Sequence, residues 1–99
     1  MNTPRIFAGS SNKSLAKAVS TKSKIPLGKM SLGTFGDGEI DVWVEDKVNN
    51  SDVFILQSSS WPINKHIIEL ALIADALRRS GAQKITAVIP YFGYSRKEK

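Results

Sequence analysis

The sequence contains no cysteine. That excludes a disulfide framework and any thiolate-bound metal, and it suits a reducing compartment such as the cytosol. The one histidine, His66, is too little for a zinc ligand set or for a Ser-His-Asp nucleophile argument. No apolar run approaches the roughly 20 residues that a membrane-spanning helix needs, and no apolar segment at the start has the form of a secretory signal. Neither Gly-x-Gly-x-x-Gly nor Gly-x-x-x-x-Gly-Lys-Ser/Thr occurs, so the standard phosphate cradles are missing. Acid is missing locally too: residues 1–30 carry six Lys/Arg and no Asp/Glu. An acid-free, Ser-rich start is also the composition of an organelle transit peptide, but this one reads as strand then helix and is treated as folded protein.

What remains is an ordinary globular composition in 99 residues, 41% hydrophobic and 23% charged, enough for one domain. A chain of this size buries only about 60–70% of the surface exposed when unfolded, so the core is modest. The net charge of +5 is split: residues 31–75 carry eight acids against Lys47 and Lys65, and residues 76–99 carry six basic residues against Glu98. Basic ends around an acidic middle do not make the continuous stripe of a nucleic-acid-coating surface. They suit anionic small molecules or an oppositely charged subunit.

Punctuation and periodicity give an α/β order. Arg5 to Ala8 is a short apolar run stopped by Gly9, and Ser10 or Ser11 is placed to cap a helix ending near Ser23 with Leu15, Ala16, Ala18 and Val19 on its apolar face. Met30 to Phe35 and the alternating Ile40, Val42, Val44 predict two strands of a hairpin around Gly36-Asp37-Gly38. Val53 to Leu56 predicts a strand buried on both faces. Pro62 suits a first helical turn, and Ile63 to Ser80 predicts a long helix with apolar residues around more than one stripe, ended by Gly81. Ile85 to Ile89 predicts a second buried strand. Strand, helix, strand in this order is a parallel βαβ unit.

Three segments carry candidate chemistry. Phe35-Gly36-Asp37-Gly38-Glu39 projects an aromatic ring and two carboxylates from a sharp turn; they can stack on a base and accept hydrogen bonds from an amino group or ribose hydroxyls, or they are solvated turn residues. Ser58-Ser59-Ser60 lies between a strand and a helix N-terminus, where backbone N–H groups suit an anion or simply cap the helix. Tyr94-Ser95-Arg96-Lys97-Glu98-Lys99 leaves the carboxyl end of a strand, where α/β proteins place ligands, and its cations suit phosphate or form a solvated tail. His66 reads as a helix-surface residue.

Taken in order and spacing, Ile6-Phe7-Ala8-Gly9, Phe35-Gly36-Asp37-Gly38-Glu39, Asp52 to Ser58, and above all Ile85-Thr86-Ala87-Val88-Ile89-Pro90-Tyr91-Phe92-Gly93-Tyr94 resemble ribose-phosphate diphosphokinase, which makes phosphoribosyl pyrophosphate for nucleotide biosynthesis. The resemblance covers essentially the whole chain. It implies a phosphoribosyltransferase-like fold: a mainly parallel sheet flanked by helices, with an antiparallel hairpin flap. Residues 1–99 would be the N-terminal, incomplete portion of the first such domain. The family acts in the cytoplasm on ATP and ribose 5-phosphate, requires Mg2+, and forms homo-oligomers, usually hexamers, whose ATP site is shared between subunits. Carried over by position, the ATP-binding residues are Phe35, Asp37, Glu39, Arg96 and Lys97. The resemblance implies no catalytic residue and no metal ligand within the segment, because the family's catalytic histidine, mobile basic loop and ribose-phosphate loop lie beyond residue 99. The isolated chain is accordingly expected to be inactive.

The departures from the family pattern support an alternative. Lys97-Glu98-Lys99 stands where the family reads Gln-Asp-Arg or Gln-Asp-Lys. Lys65-His66-Ile67-Ile68 stands within the family's Asn-Asp-Asn-Leu-Met-Glu-Leu, and Asn49-Asn50 stands where many members have Arg-Gly, which puts the usual inhibitory phosphate or ADP site in doubt. A homologue that regulates or assembles with active subunits, without turnover of its own, is the second reading. A small nucleic-acid binder using Trp61, Tyr91 and Tyr94 is a third.

Overall fold

Period-two burial along two short strands divides the molecule into layers. In the computed structural model, which describes residues 3–34, 39–58 and 61–90, the elements run β1 (Arg5–Ala8), α1 (Lys13–Ser23), β2 (Met30–Thr34), β3 (Ile40–Val44), β4 (Asp52–Leu56), α2 (Ile63–Arg79) and β5 (Lys84–Val88). β4 lies between β1 and β5, and both pairings are parallel. Consecutive strand residues point to opposite faces. Phe7, Val53 and Ile55 therefore join Val48, Ile73 and Leu77 on the α2 side, whereas Ile6 and Leu56 join Ala16 of α1 on the other.

β2 and β3 form a separate antiparallel pair, with Met30 opposite Val44 and Leu32 opposite Val42. Those four side chains share one face and pack on the Ile73–Leu77 core, while Trp43 on the opposite face is 68% exposed. The antiparallel hairpin and the half-exposed β3 are thus as the alternation predicts. The Gly36-Asp37-Gly38 turn lies outside the described residues.

Helix ends explain the chain's turns. Gly81 has φ +94°, its N–H donates to the Arg78 carbonyl at 3.0 Å, and the Ala82 N–H donates to the Leu77 carbonyl at 3.1 Å. These two reversed bonds close the last turn of α2 as only a residue tolerant of positive φ permits at low cost. At the start of α1 the expected serine cap is replaced: Asn12 accepts from the Leu15 N–H at 2.9 Å, because Ser10 and Ser11 are committed elsewhere, as described below.

Other expectations need correcting. α2 is not buried all round: its covered stripe is His66, Glu69, Ile73 and Leu77, and Ile68 stays 53% exposed. His66 is therefore a buried residue and not a surface one. Ile85 and Thr86 are only half buried, and Ala87 and Val88 are exposed, because β5 pairs with β4 alone among the described strands. In α1 only Ala16 is buried, Leu15 is half buried, and Ala18 and Val19 lie at the surface.

Candidate functional site

The carboxyl ends of β1 and β4 meet the first turns of α2, and there the interior turns polar. Gln57 and Ser58 continue β4 into this region, and both are buried together with His66 and Glu69 of α2. The Glu69 carboxylate accepts from three donors: the Ser10 N–H at 2.6 Å and the Gln57 Nε2 at 2.7 Å on Oε1, and the Ser10 hydroxyl at 2.9 Å on Oε2. The Gln57 Nε2 also donates to the His66 carbonyl at 3.2 Å, and its Oε1 accepts from the Ser11 N–H at 3.1 Å. The Ser11 hydroxyl in turn accepts from the Ser58 N–H at 2.8 Å. Three segments distant in sequence are thereby closed into one clasp. Among the described residues no buried side-chain nitrogen or oxygen is left without a partner, which is the condition under which a buried polar network holds its geometry and does not weaken the core.

Gly9 belongs to this arrangement. A Cβ built on it would lie 2.1 Å from the Gln57 Oε1, so the strand end comes as close to the amide as it does because no side chain intervenes.

The clasp also decides part of the anion question. The N–H groups of Ser10, Ser11 and Ser58 point at internal acceptors, and a ligand would have to displace Glu69, Gln57 or the Ser11 hydroxyl to reach them. Of the Ser58-Ser59-Ser60 candidate, Ser58 is therefore a buried structural residue; Ser59 and Ser60 lie outside the described residues.

On its outer side the clasp meets the hairpin. A pocket of about 100 Å³ is lined by Ser10, Lys65 and Glu69 on one wall and Leu32, Gly33 and Ile40 on the other. The paired Thr34 and Ile40 close the hairpin ladder at this end. Of the expected ATP-binding residues, Glu39 is exposed and immediately precedes β3. Phe35, Asp37, Arg96 and Lys97 lie outside the described residues, as do Tyr91 and Tyr94. Among the described residues no group of three or more His, Asp or Glu could hold a metal ion, and no helix is long and apolar enough to cross a membrane.

A larger cavity lies elsewhere. A groove of about 570 Å³ runs between α2 and β5, lined mainly by Ile55, Ile67, Leu70, Ala74 and Ile85. At its edge Asp75 accepts from Arg79 and Arg78 at 2.9 and 3.0 Å. Those hydrogen bonds, Arg79's first, hold the Asp75 carboxyl below its ordinary range.

Sequence reasoning missed Gln57, Glu69 and His66. One signal was available: Glu69, Ile73 and Leu77 repeat every four residues on a single helix stripe, so the acid shares the buried face of two core residues.

Comparison with known proteins extends this picture. The family model of the N-terminal domain of ribose phosphate pyrophosphokinase matches residues 4–99. Over 95 residues, 96% of the chain, the sequence is 50% identical to the ribose-phosphate pyrophosphokinase of Brucella melitensis and 52% identical to that of Mesorhizobium japonicum. It spans only 31% and 30% of those two proteins. The crystal structure of phosphoribosylpyrophosphate synthetase from Mycobacterium smegmatis superimposes on 99% of the chain with a TM-score of 0.92 at 33% identity, using 33% of that protein. A purine phosphoribosyltransferase from Pyrococcus horikoshii shares the fold, with a TM-score of 0.60 at 13% identity, over 91% of this chain and 63% of that one.

Proposed function

Since the chain belongs to the family of N-terminal domains of ribose phosphate pyrophosphokinase, we propose that it is the N-terminal segment of an enzyme that transfers the diphosphate of ATP to ribose 5-phosphate. The observation that carries this reading is the match over residues 4–99. In the proposed reaction the ribose 1-hydroxyl attacks the β-phosphorus of ATP. A bond forms from that oxygen to the β-phosphorus, the bridge to the α-phosphate breaks, and AMP leaves. Little covalent chemistry is asked of the protein; the work is alignment and charge neutralisation. Magnesium bound to ATP would supply further charge neutralisation of the phosphates, and residues 1–99 are assigned none of its ligands.

In this reading residues 1–99 form the first part of a phosphoribosyltransferase-like domain and supply one side of the ATP site. Phe35 stacks beside the adenine, and Asp37 and Glu39 accept hydrogen bonds around it. Arg96 and Lys97 attract the phosphates. The acidic loop serves the site of a neighbouring subunit, so the working unit is a homo-oligomer in the cytoplasm. The base of that loop has a defined support: it springs from a hairpin whose inner face is seated on α2 and whose end adjoins the Ser10–Glu69 clasp.

A second reading, a non-catalytic subunit that binds active partners, is favoured by Lys65. It places a cation on the wall of the pocket beside Glu69, and with Lys97 it departs from the expected pattern. One experiment separates the two. Residues 4–99 of this chain replace the corresponding N-terminal segment of the Brucella melitensis protein, and phosphoribosyl pyrophosphate formation is measured. The enzymatic reading expects turnover within about tenfold of the parent. A chimera that folds and assembles but is inactive supports the regulatory reading instead.

A further inference from the structure

We propose that the outer edge of β5 and the groove beside it are the seat of a helix–strand unit, supplied by the polypeptide that follows this segment in its longer relatives. The strand adds parallel to β5, and the helix lies against α2. The inference rests on the chain being the first part of a longer phosphoribosyltransferase-like domain, and not on the assignment of ATP-binding residues.

The two edges of the parallel sheet are finished differently. At the β1 edge the Ile6 N–H donates to the Pro26 carbonyl at 2.9 Å, and the Gly28 N–H donates to the Ile6 carbonyl at 2.8 Å. The stretch around Leu27 thereby forms a parallel bridge with Ile6 and closes that side. At the β5 edge two bonds show which residues turn inward: the Lys84 N–H donates to the Ser51 carbonyl at 3.4 Å, and the Val88 carbonyl accepts from the Gln57 N–H at 3.1 Å. Backbone groups alternate in direction along a strand. Thr86 therefore also turns toward β4, and the N–H and C=O groups of Ile85 and Ala87 turn outward, where no described strand lies. This edge lacks the usual protection of charge, proline or a bulge: Ile85-Thr86-Ala87-Val88 contains neither charge nor proline, and its register with β4 is unbroken.

Handedness assigns the face. Crossovers between parallel strands are right-handed in about 98% of cases, which ties the face a helix occupies to the direction of travel across the sheet. From β4 to β5 the chain moves away from β1 and passes through α2 on one face. From β1 to the Leu27 stretch it moves the opposite way and passes through α1 on the other face. Opposite directions on opposite faces give both connections one hand. A unit continuing outward from β5 repeats the direction of β4 to β5, so its helix belongs on the α2 face. The groove lies there, with Ile55, Ile85 and Ala87 as its floor and Ile67, Leu70 and Ala74 as its wall.

The relatives hold polypeptide to fill it. The matched domain is N-terminal and makes up only 31% and 30% of the Brucella and Mesorhizobium proteins, so most of each lies beyond it. A second copy of this chain fits less well. Antiparallel pairing of two β5 edges across a two-fold axis would join the edges but bring only a second groove alongside the first.

The experiment compares the 99-residue chain with the chimera described above. Amide hydrogen exchange is followed at Ile85, Thr86 and Ala87. Alkylation is followed by peptide mapping at Ala71→Cys, an exposed position lining the groove, with the exposed Lys17→Cys of α1 as control. In the chain alone Ile85 and Ala87 are expected to exchange at least about a hundredfold faster than Thr86. In the chimera they should slow to within about tenfold of Thr86, and alkylation at position 71 should slow at least about thirtyfold while position 17 changes less than about threefold. An unchanged ratio of outward to inward exchange in the chimera overturns the proposal, as does equal slowing of the two thiols. Protection of Ile85 and Ala87 in the chain alone also overturns it; if that protection grows with chain concentration, the occupant is a second copy. Should the chimera not fold, the chain is co-expressed with the remainder of the Brucella protein and the same positions are read in the complex; failure of that remainder to bind the chain counts against the proposal. Turnover and ATP binding are not read, so the ATP reading and this one can fail separately.

Discussion

The two flanks of α2 are built on opposite terms. Toward its first turns, at the carboxyl ends of β1 and β4, a buried carboxylate and a buried amide satisfy every donor that points at them. Along its other flank a groove of about 570 Å³ leaves Ile67, Leu70 and Ala74 beside a half-covered β5. One end is specified by direction and the other only by apolarity. Hydrogen bonds tolerate little displacement, whereas apolar contacts tolerate rearrangement at modest cost. The difference teaches where substitutions should be felt: strongly on the stripe under the hairpin, measurably in the clasp, and weakly in the groove.

That ranking can be broken at each level. The largest effect is expected from Leu77→Ala. Leu77 is fully buried among Phe7, Val53 and Ile55, so truncation should cost about 2–5 kcal/mol, read as a shift in a urea unfolding curve. Next, Gly9→Ala forces a methyl group onto the Gln57 amide, which would sit 2.1 Å away; destabilisation of about 1–3 kcal/mol is expected from the same measurement. If it proves neutral, the clasp is not a tightly fitted unit. In the groove, Ile67→Ala removes a half-buried side chain and should cost about 1 kcal/mol or less. A loss as large as that of Leu77→Ala would mean that the groove is covered in solution.

The smallest effect belongs to Asp75. Its carboxyl is held below its ordinary value of 3.8, mainly by the hydrogen bond from Arg79 and then that from Arg78. A depressed folded-state pKa contributes stability above the unfolded value and loses it as pH falls through the folded one. Wild type and Asp75→Asn should therefore differ slightly in melting temperature at pH 6 and converge below about pH 3.8. Both arginines are exposed, so the difference should also shrink in high salt.

Much of this architecture was legible in the residues. The short, β-prone Val53 to Leu56 run marks a strand by length and composition, the alternation of Ile40, Val42 and Val44 marks one by its period, and Gly81 after Arg78-Arg79 is a helix stop with a stereochemical cause. The burial of β5 was misjudged for a physical reason: an apolar run reports capacity for burial, and coverage depends on neighbours that the run does not name. The clasp was hidden for a related reason. Ser10, Ser11, Gln57 and Glu69 are individually ordinary polar residues, and their partnership spans as many as 59 positions, a distance across which no local pattern operates. The serines beside α1 looked like caps because capping is their commonest local use; Asn12 caps the helix instead, which frees them for tertiary bonds. Of the residues expected to bind ATP, only Glu39 falls among the described residues, immediately before β3; Phe35, Asp37, Arg96 and Lys97 lie outside them.

The most direct test of the account is calorimetric titration of the purified chain with Mg-ATP, with its association state read by light scattering in the same buffer. The account predicts saturable binding by an oligomer, lost on Phe35→Ala. Absence of binding, or binding that survives Phe35→Ala unchanged, contradicts the claim that this segment supplies one side of the ATP site.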